Sequence, residues 1–219
     1  MVPQSKGKIF LAAERGLNEL SWFRSYNTFN FGRYYNEHKT PFGALYVLNE
    51  DTLAGGHVIT MNVEEDSDII LIPVVGAIAC DNDVITAGQI QLLSMKAGTS
   101  FSVANPYETE LVKFLQIWIK GTTSSRLIDF DLDAEKNQLL ELCKGVMIGK
   151  FGGREEAVYK LSGPGNSMFA FVIEGVFEVQ YRLLHAGDSL GLSEIEEVEL
   201  EALSNNAIIL MIEILPTCK

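Results

Sequence analysis

The chain has 219 residues, room for one large domain or two small ones at about 150 residues per domain. Hydrophobic residues make up 47% and charged residues 21%, enough for a packed core and too apolar for a disordered chain. With 29 acidic against 17 basic residues and a net charge of −12, the chain lacks the clustered Lys and Arg that track phosphates, so nucleic acid is excluded as a direct ligand.

In chain order, residues 1–8 are polar and the apolar residues 9–13 are too short for the core of a secretory signal. No apolar run reaches the ~20 residues that cross a bilayer as a helix, so no membrane role is expected. Residues 68–75 and 111–119 are runs of β-branched and aromatic residues bounded by turn formers, and they predict strands. Pro73 places an edge or a bulge in the first of them. The polar, Gly-containing residues 121–125 mark a domain boundary, and a helix is predicted over residues 134–142, capped by Asp133 and stopped by Gly145. Residues 168–180 and 207–215 again predict strands.

A faint repeat links the two sides. Val74-Val75-Gly76-Ala77-Ile78 matches Ile173-Glu174-Gly175-Val176-Phe177, and Ala87-Gly88-Gln89 matches Ala186-Gly187-Asp188. Many short strands with one helix favour a barrel, used twice. Cys80, Cys143 and Cys218 are three in number, far apart and without CxxC spacing, so reduced thiols in a cytoplasmic protein are expected.

The first half carries a more specific signature. Ser25-Tyr26-Asn27-Thr28-Phe29-Asn30-Phe31-Gly32 is followed by Phe42-Gly43-Ala44-Leu45-Tyr46-Val47-Leu48-Asn49-Glu50-Asp51. Glu14-Arg15-Gly16 and Trp22 precede them, and Gln116-Ile117-Trp118-Ile119 follows. Together these resemble the N-terminal signature of the pirin family. Leu184-His185-Ala186-Gly187-Asp188 and the closing residues 208–215 match it more loosely. The resemblance implies an all-β bicupin: two tandem cupin barrels, each a double-stranded β-helix, with the short helix near the linker. The domains are then residues 1–120, a linker at 121–135, and residues 136–219.

The family usually holds iron or another divalent transition metal in its N-terminal barrel, through a His-x-His pair and a later His-x-Glu pair. Imidazole with carboxylate suits a first-row metal and leaves positions open for substrate or dioxygen. Bacterial relatives open flavonols such as quercetin there, while the nuclear relative of animals is a transcriptional cofactor. A gapless overlay, anchored at Gly56, Asp68, Gly76, Gly88, Gly98 and Asn105-Pro106, sets the first pair on Asn62 and Glu64 and the second on Phe101 and Val103. Phe and Val have no lone pair to give a metal. The overlay therefore implies a frame kept and a ligand set lost, with no cofactor expected and a candidate pocket of Asn62, Glu64, Gln91, Phe101 and Val103.

Other constellations weigh less. Glu64, Asp66 and Asp68 would share one strand face and suit a hard cation, or else form a solvated acidic turn. His38, His57 and His185 have no ligand spacing to one another, and Asn27 stands where many family members have a histidine. No GxSxG elbow occurs, and Gly152-Gly153-Arg154 and residues 162–166 lack a P-loop lysine and read as hairpin loops. Trp22, Trp118, Phe29, Phe31, Tyr34 and Tyr35 are expected in core and interdomain packing, with a binding platform as the alternative. The expected function is a non-catalytic bicupin with a structural barrel or one that binds a small organic ligand or a protein partner. The alternative is a quercetin 2,3-dioxygenase-type oxygenase with a rebuilt metal site. No basic cluster supports a nuclear role.

Overall fold

The structure, a computed structural model, describes residues 5–81, 83–121 and 123–216. Strand β1 spans Lys6–Phe10, followed by a single 3-10 turn at Ala12–Glu14. Next come β2 (Gly16–Glu19), β3 (Phe23–Asn27), β4 (Leu45–Leu53), β5 (Val58–Asn62), β6 (Ser67–Val75) and β7 (Ala77–Cys80). After these lie β8 (Asp83–Thr86), β9 (Gln89–Met95), β10 (Ser100–Ala104), β11 (Val112–Lys120) and β12 (Arg126–Asp129). The second half holds β13 (Leu140–Cys143), β14 (Val146–Phe151), β15 (Glu156–Lys160), β16 (Ser167–Glu174) and β17 (Val176–Val179). It ends with β18 (Arg182–His185), β19 (Ser189–Ser193), β20 (Glu197–Ala202) and β21 (Ala207–Ile214). Among the described residues no helix is long and apolar enough to cross a membrane.

The chain divides into two compact units, residues 15–130 and residues 1–14 with 131–219. Each pairs a large sheet with a four-stranded one. In the first unit β12-β9-β6-β11-β4-β3-β2 and β5-β10-β7-β8 enclose one core, with Ile69, Leu71, Phe114 and Trp118 from one sheet meeting Met61, Ile78, Phe101 and Val103 from the other. In the second, β1-β19-β16-β21-β14-β13 and β15-β20-β17-β18 enclose Met168, Ala170, Phe177, Leu190, Leu200 and Met211. The order β9-β6-β11-β4 recurs as β19-β16-β21-β14, and β5-β10-β7-β8 recurs as β15-β20-β17-β18. The chain is therefore an all-β tandem of one barrel, and the short sequence repeat sits at matching corners. Gly76 and Gly175 turn β6 into β7 and β16 into β17 at φ of 75° and 80°, and Gly88 and Gly187 precede β9 and β19 at 89° and 85°.

Three expectations are corrected. The boundaries differ from 1–120, 121–135 and 136–219: β1 pairs with β19, which assigns residues 1–14 to the C-terminal unit, and β12 forms inside the expected linker by pairing with β9. Each covers an edge that would otherwise leave backbone N–H and C=O groups unpaired. The helix over 134–142 does not form. Asp131, not Asp133, caps one turn, its Oδ1 accepting from the N–H of Asp133 at 2.9 Å and of Ala134 at 3.0 Å. Asn137 then adopts φ of 65° and donates its N–H to Lys150 O at 2.8 Å, and Leu140 pairs with Ile148 in a strand. Nine residues are too few for a helix to hold against such tertiary pairing. The Gly-rich residues 152–154 and 162–166 are corners between the unit's two sheets rather than hairpins. Pro73 lies past the last β6–β9 pair, Leu71 with Gln91, where a register shift interrupts β6–β11: the bulge, not the edge.

The corner glycines make a testable contrast. A Cβ on Gly175 would collide with Ser204 Oγ and come within 2.8 Å of Ala207 Cβ, whereas one on Gly98, at a similar φ of 82°, meets nothing within 4 Å. Gly98→Ala should cost about 1 kcal/mol for the left-handed backbone alone, and Gly175→Ala about 2–4 kcal/mol. Urea unfolding of the two variants measures the difference; equal losses would contradict the steric reading.

Candidate functional site

The five residues of the expected pocket do not come together. Side chains alternate along β5, so Met61 and the following Val63 point into the barrel, 6% and 1% exposed, while Asn62 and Glu64 point outward and are exposed. On β10, Phe101 lies opposite Met61 and Val103 opposite Ile59, and both face inward. Phe101 packs its ring 5.7 Å from that of Trp118. Gln91 is buried on β9, apart from the cleft described below. The gapless overlay therefore sits one residue off in facing: the side chains that share the interior with Phe101 and Val103 are Met61 and Val63. These four offer a thioether, a ring and hydrocarbon.

The other candidates are accounted for by local partners. Asp66 accepts from Lys96 Nζ at 2.7 Å and Ala97 N at 3.0 Å, Glu65 meets Lys120 at 2.6 Å, and Asp68 accepts from Thr123 N at 2.9 Å, which makes the run a solvated acidic turn. His57 is exposed and stacks on Trp22 at 5.1 Å, with Nδ1 2.8 Å from Gly55 O. His38 lies 3.7 Å from Glu37, and His185 lies 3.8 Å from Asp188. Cys80 is buried, its thiol pushed up to about 12 by burial and then by Asp81 and Asp83; Cys143 is half-buried and Cys218 lies outside the described residues.

The first unit instead presents a cleft of about 640 Å³ with Phe23, Phe31, Tyr34, Tyr46 and Trp118 in its walls and Asn62 and Glu64 at its rim. Trp118 meets Phe31 edge-on at 5.7 Å and Tyr46 at 6.0 Å. One wall is a turn joined by a bridge between Phe31 and Tyr34. Asn18 clamps it, donating from Nδ2 to Phe31 O at 2.9 Å and accepting from Arg33 N at 3.2 Å. Tyr34 lies flat over Gly16, where any Cβ would enter its ring. Phe29 is fully buried, but Phe31, Tyr34 and Trp118 serve the cleft as well as the packing.

Beneath the cleft runs a polar row that sequence reasoning missed. Ser25, Asn27, Asn49, Asp51 and Gln116 have no exposed surface and lie on the core side of β3, β4 and β11, where strand register sets Ser25 beside Asp51, and Asn49 between Asn27 and Gln116. Asn18 Nδ2 donates to Asn27 Oδ1 at 2.7 Å, Asn27 Nδ2 to Ser25 Oγ at 2.8 Å, Gln116 Nε2 to Asp51 Oδ2, and Trp118 Nε1 to Gln116 Oε1 at 2.9 Å. Asp51 Oδ1 and both side-chain polar atoms of Asn49 have no protein partner. Burial drives the Asp51 carboxyl up from 3.8 to about 7, and hydrogen bonding from Ser25 and Gln116 offsets only part of it. The signal was present in the sequence as polar residues placed inside apolar runs: Asn49 and Asp51 within 45–53, Gln116 within 112–119.

Comparison with known proteins agrees with this architecture. Residues 144–214 match the model of the quercetinase C-terminal cupin domain. A quercetin 2,3-dioxygenase of Escherichia coli K12 is 31% identical over 113 residues, 49% of each chain, so the matched stretch spans about half the length of that relative. A pirin-like protein of Caulobacter vibrioides is 24% identical over 216 residues, 87% of this chain and 92% of that one. The crystal structure of the bacterial pirin YhhW of Escherichia coli in complex with nickel(II) superposes with a TM-score of 0.79 at 22% identity, covering 97% of this chain and all of the other, a likeness of fold.

Asp51 sets a pH dependence. Between 3.8 and about 7 the folded protein keeps a proton that the unfolded chain releases, so this group's stabilisation is whole below 3.8 and is lost as pH rises toward 7. Asp51→Asn should remove that loss. In urea unfolding between pH 5 and pH 6 the variant should gain about 1.4 kcal/mol per pH unit relative to the parent, and about half that slope near pH 7. Parallel stability curves would contradict the buried, uncompensated carboxyl.

Proposed function

We propose that this chain, a pirin-like bicupin, binds a small organic molecule in the aromatic cleft of its first barrel and carries no first-row metal at the family's position. One observation carries the reading: the inward side chains at that position are Met61, Val63, Phe101 and Val103, packed in one apolar cluster with Trp118. Iron, nickel and copper centres are built from imidazole, thiolate and carboxylate, and a hydrocarbon-filled interior neither coordinates them nor admits the water that would complete their shell. The residues present do not fit the metal, and no oxidative step is derived for the barrel.

The cleft supports the binding half of the reading. Ligand sites are concave, largely apolar and furnished with a few fixed polar groups, and a volume of about 640 Å³ walled by aromatic rings fits that description. The rings are held in place: Asn18 fixes the Phe31 turn, and Trp118 is anchored through its N–H to Gln116. The names of the relatives connect the fold with quercetin 2,3-dioxygenase activity, but an activity belongs to its site and not to its scaffold. Among the described residues no three His, Cys, Asp or Glu side chains gather as a metal-binding group.

Two measurements test this reading. Calorimetry with the neutral aromatic alcohol tryptophol should detect one site, unaffected by EDTA and weakened at least fivefold in Phe31→Ala. Oxygen uptake with quercetin should stay at background with added iron, copper, nickel or manganese. Chelator-sensitive uptake, or the absence of a tryptophol site, would overturn it.

A further inference from the structure

The cleft runs beside a sheet edge. β5 ends the four-stranded sheet of the first barrel, and among the described residues it pairs with β10 alone. Four successive β5 residues, Ile59, Thr60, Met61 and Asn62, all line the cleft. Neighbouring side chains of a strand point to opposite faces, so a surface that touches all four follows the strand's edge, with its main-chain N–H and C=O groups. For the five residues of β5 that edge is about 17 Å long.

Across the cleft β2 ends the larger sheet, but its residues are already engaged. Tyr34 lies over Gly16, and Asn18 holds the Phe31 turn, donating from Nδ2 to Phe31 O at 2.9 Å. In the second barrel β15 takes the place of β5, and its side chains tie the smaller sheet to the larger one. Tyr159 of β15 donates its hydroxyl to Glu213 of β21 at 2.6 Å, and Ala157 packs on the core there with Leu139. The cleft beside β5 is therefore a feature of the first barrel and not of the repeat.

β5 also lacks the guards that edge strands carry. Charged residues and proline on an edge discourage pairing with another chain. The four sheets have eight terminal strands, and seven of them hold charge: Lys6 on β1, Glu19 on β2, Asp83 on β8, Arg126 on β12, Glu141 on β13, Glu156 on β15 and Arg182 on β18. β5 reads Val-Ile-Thr-Met-Asn, β-branched at its first three positions and neutral throughout. The unguarded edge is thus the one that borders a concavity with aromatic walls. A volume of about 640 Å³ walled by the Phe31 turn takes a single extended segment of a few residues, not the edge of another folded sheet.

We infer that the ligand of the cleft is a short extended peptide, added as a strand to the edge of β5 with an aromatic side chain set among Phe31, Tyr46 and Trp118. In such strand addition the main-chain hydrogen bonds supply affinity, and the alternate side chains that face the pocket supply specificity. This deepens the binding reading given above and rests on it. A simple aromatic guest such as tryptophol takes only the place of the peptide's aromatic side chain.

Calorimetry with the capped, uncharged peptide acetyl-Ala-Thr-Trp-Thr-Ala-amide tests it. The peptide should bind at least tenfold tighter than tryptophol, and replacing its Trp by Ala should cost at least tenfold. Only one set of alternate amides in a strand faces a given neighbour, so N-methylation of one set should cost at least tenfold and of the other set no more than threefold. Hydrogen exchange of the unaltered protein adds a second readout: amides within Val58–Asn62 should gain protection with the peptide and none with tryptophol. Equal binding of the two N-methylated peptides, or no added protection in β5, would overturn the strand pairing, as would a peptide that fails to bind where tryptophol binds. Protection of β5 that rises with protein concentration and needs no peptide would assign the edge to a second copy of this chain and overturn it too. Failure of both the peptide and tryptophol to bind would overturn the cleft as a ligand site as well.

Discussion

In a strand that closes a barrel, successive side chains point to opposite faces, so one residue of register decides which half of the sequence meets inside. That constraint governs the first barrel of this protein. Along β5 it turns Met61 and Val63 inward and leaves Asn62 and Glu64 in solvent. β10 runs antiparallel with Phe101 against Met61, so the inward faces of the two strands form one apolar surface closed by Trp118. Phe101 and Val103, two of the positions that the resemblance implies for metal ligands, belong to that apolar surface, and the cleft is walled by aromatic rings beside it.

Two buried carboxylates show how the two barrels differ in what they leave unfinished. In the second unit Glu213 accepts from Tyr159 O–H at 2.6 Å, from Ser162 N and Oγ at 2.8 Å each, and from Asn166 Nδ2. Burial alone would raise its carboxyl, but those donors outweigh it and hold the group below the usual range, pinning the 162–166 corner. In the first unit Asp51 has fewer donors, no cation and an unpaired oxygen, and it is pushed up to about 7. Glu213 pins a corner through its four donors, and Asp51 leaves a protonatable carboxyl among neutral polar side chains.

Much of the fold was legible in the sequence because it rests on local chemistry. β-Branched runs bounded by turn formers gave β6, β11 and β21 to within a residue or two, and Gly76 and Gly175 mark the same left-handed corner in both barrels. What failed depended on distant partners. The helix at 134–142 has a sound cap-and-stop pattern, yet Asn137 and Leu140 are claimed by β14. β1 and β12 are short, and only the sheet edges beside β19 and β9 make them strands. At the site, the overlay fixed chain position without fixing side-chain direction, and it missed the row of Ser25, Asn49, Asp51 and Gln116 because polar residues on three separate strands become neighbours only once β3, β4 and β11 lie side by side.

The apolar interior at 61, 63, 101 and 103 is the point on which the functional reading turns, and metal stoichiometry addresses it most directly. Protein purified without chelators would be assayed for first-row metals by mass spectrometry, then titrated with nickel(II) by calorimetry. The expected result is no stoichiometric metal and no nickel site tighter than millimolar. One equivalent of iron, nickel or copper per chain, retained through dialysis and seated in the first barrel, would contradict it.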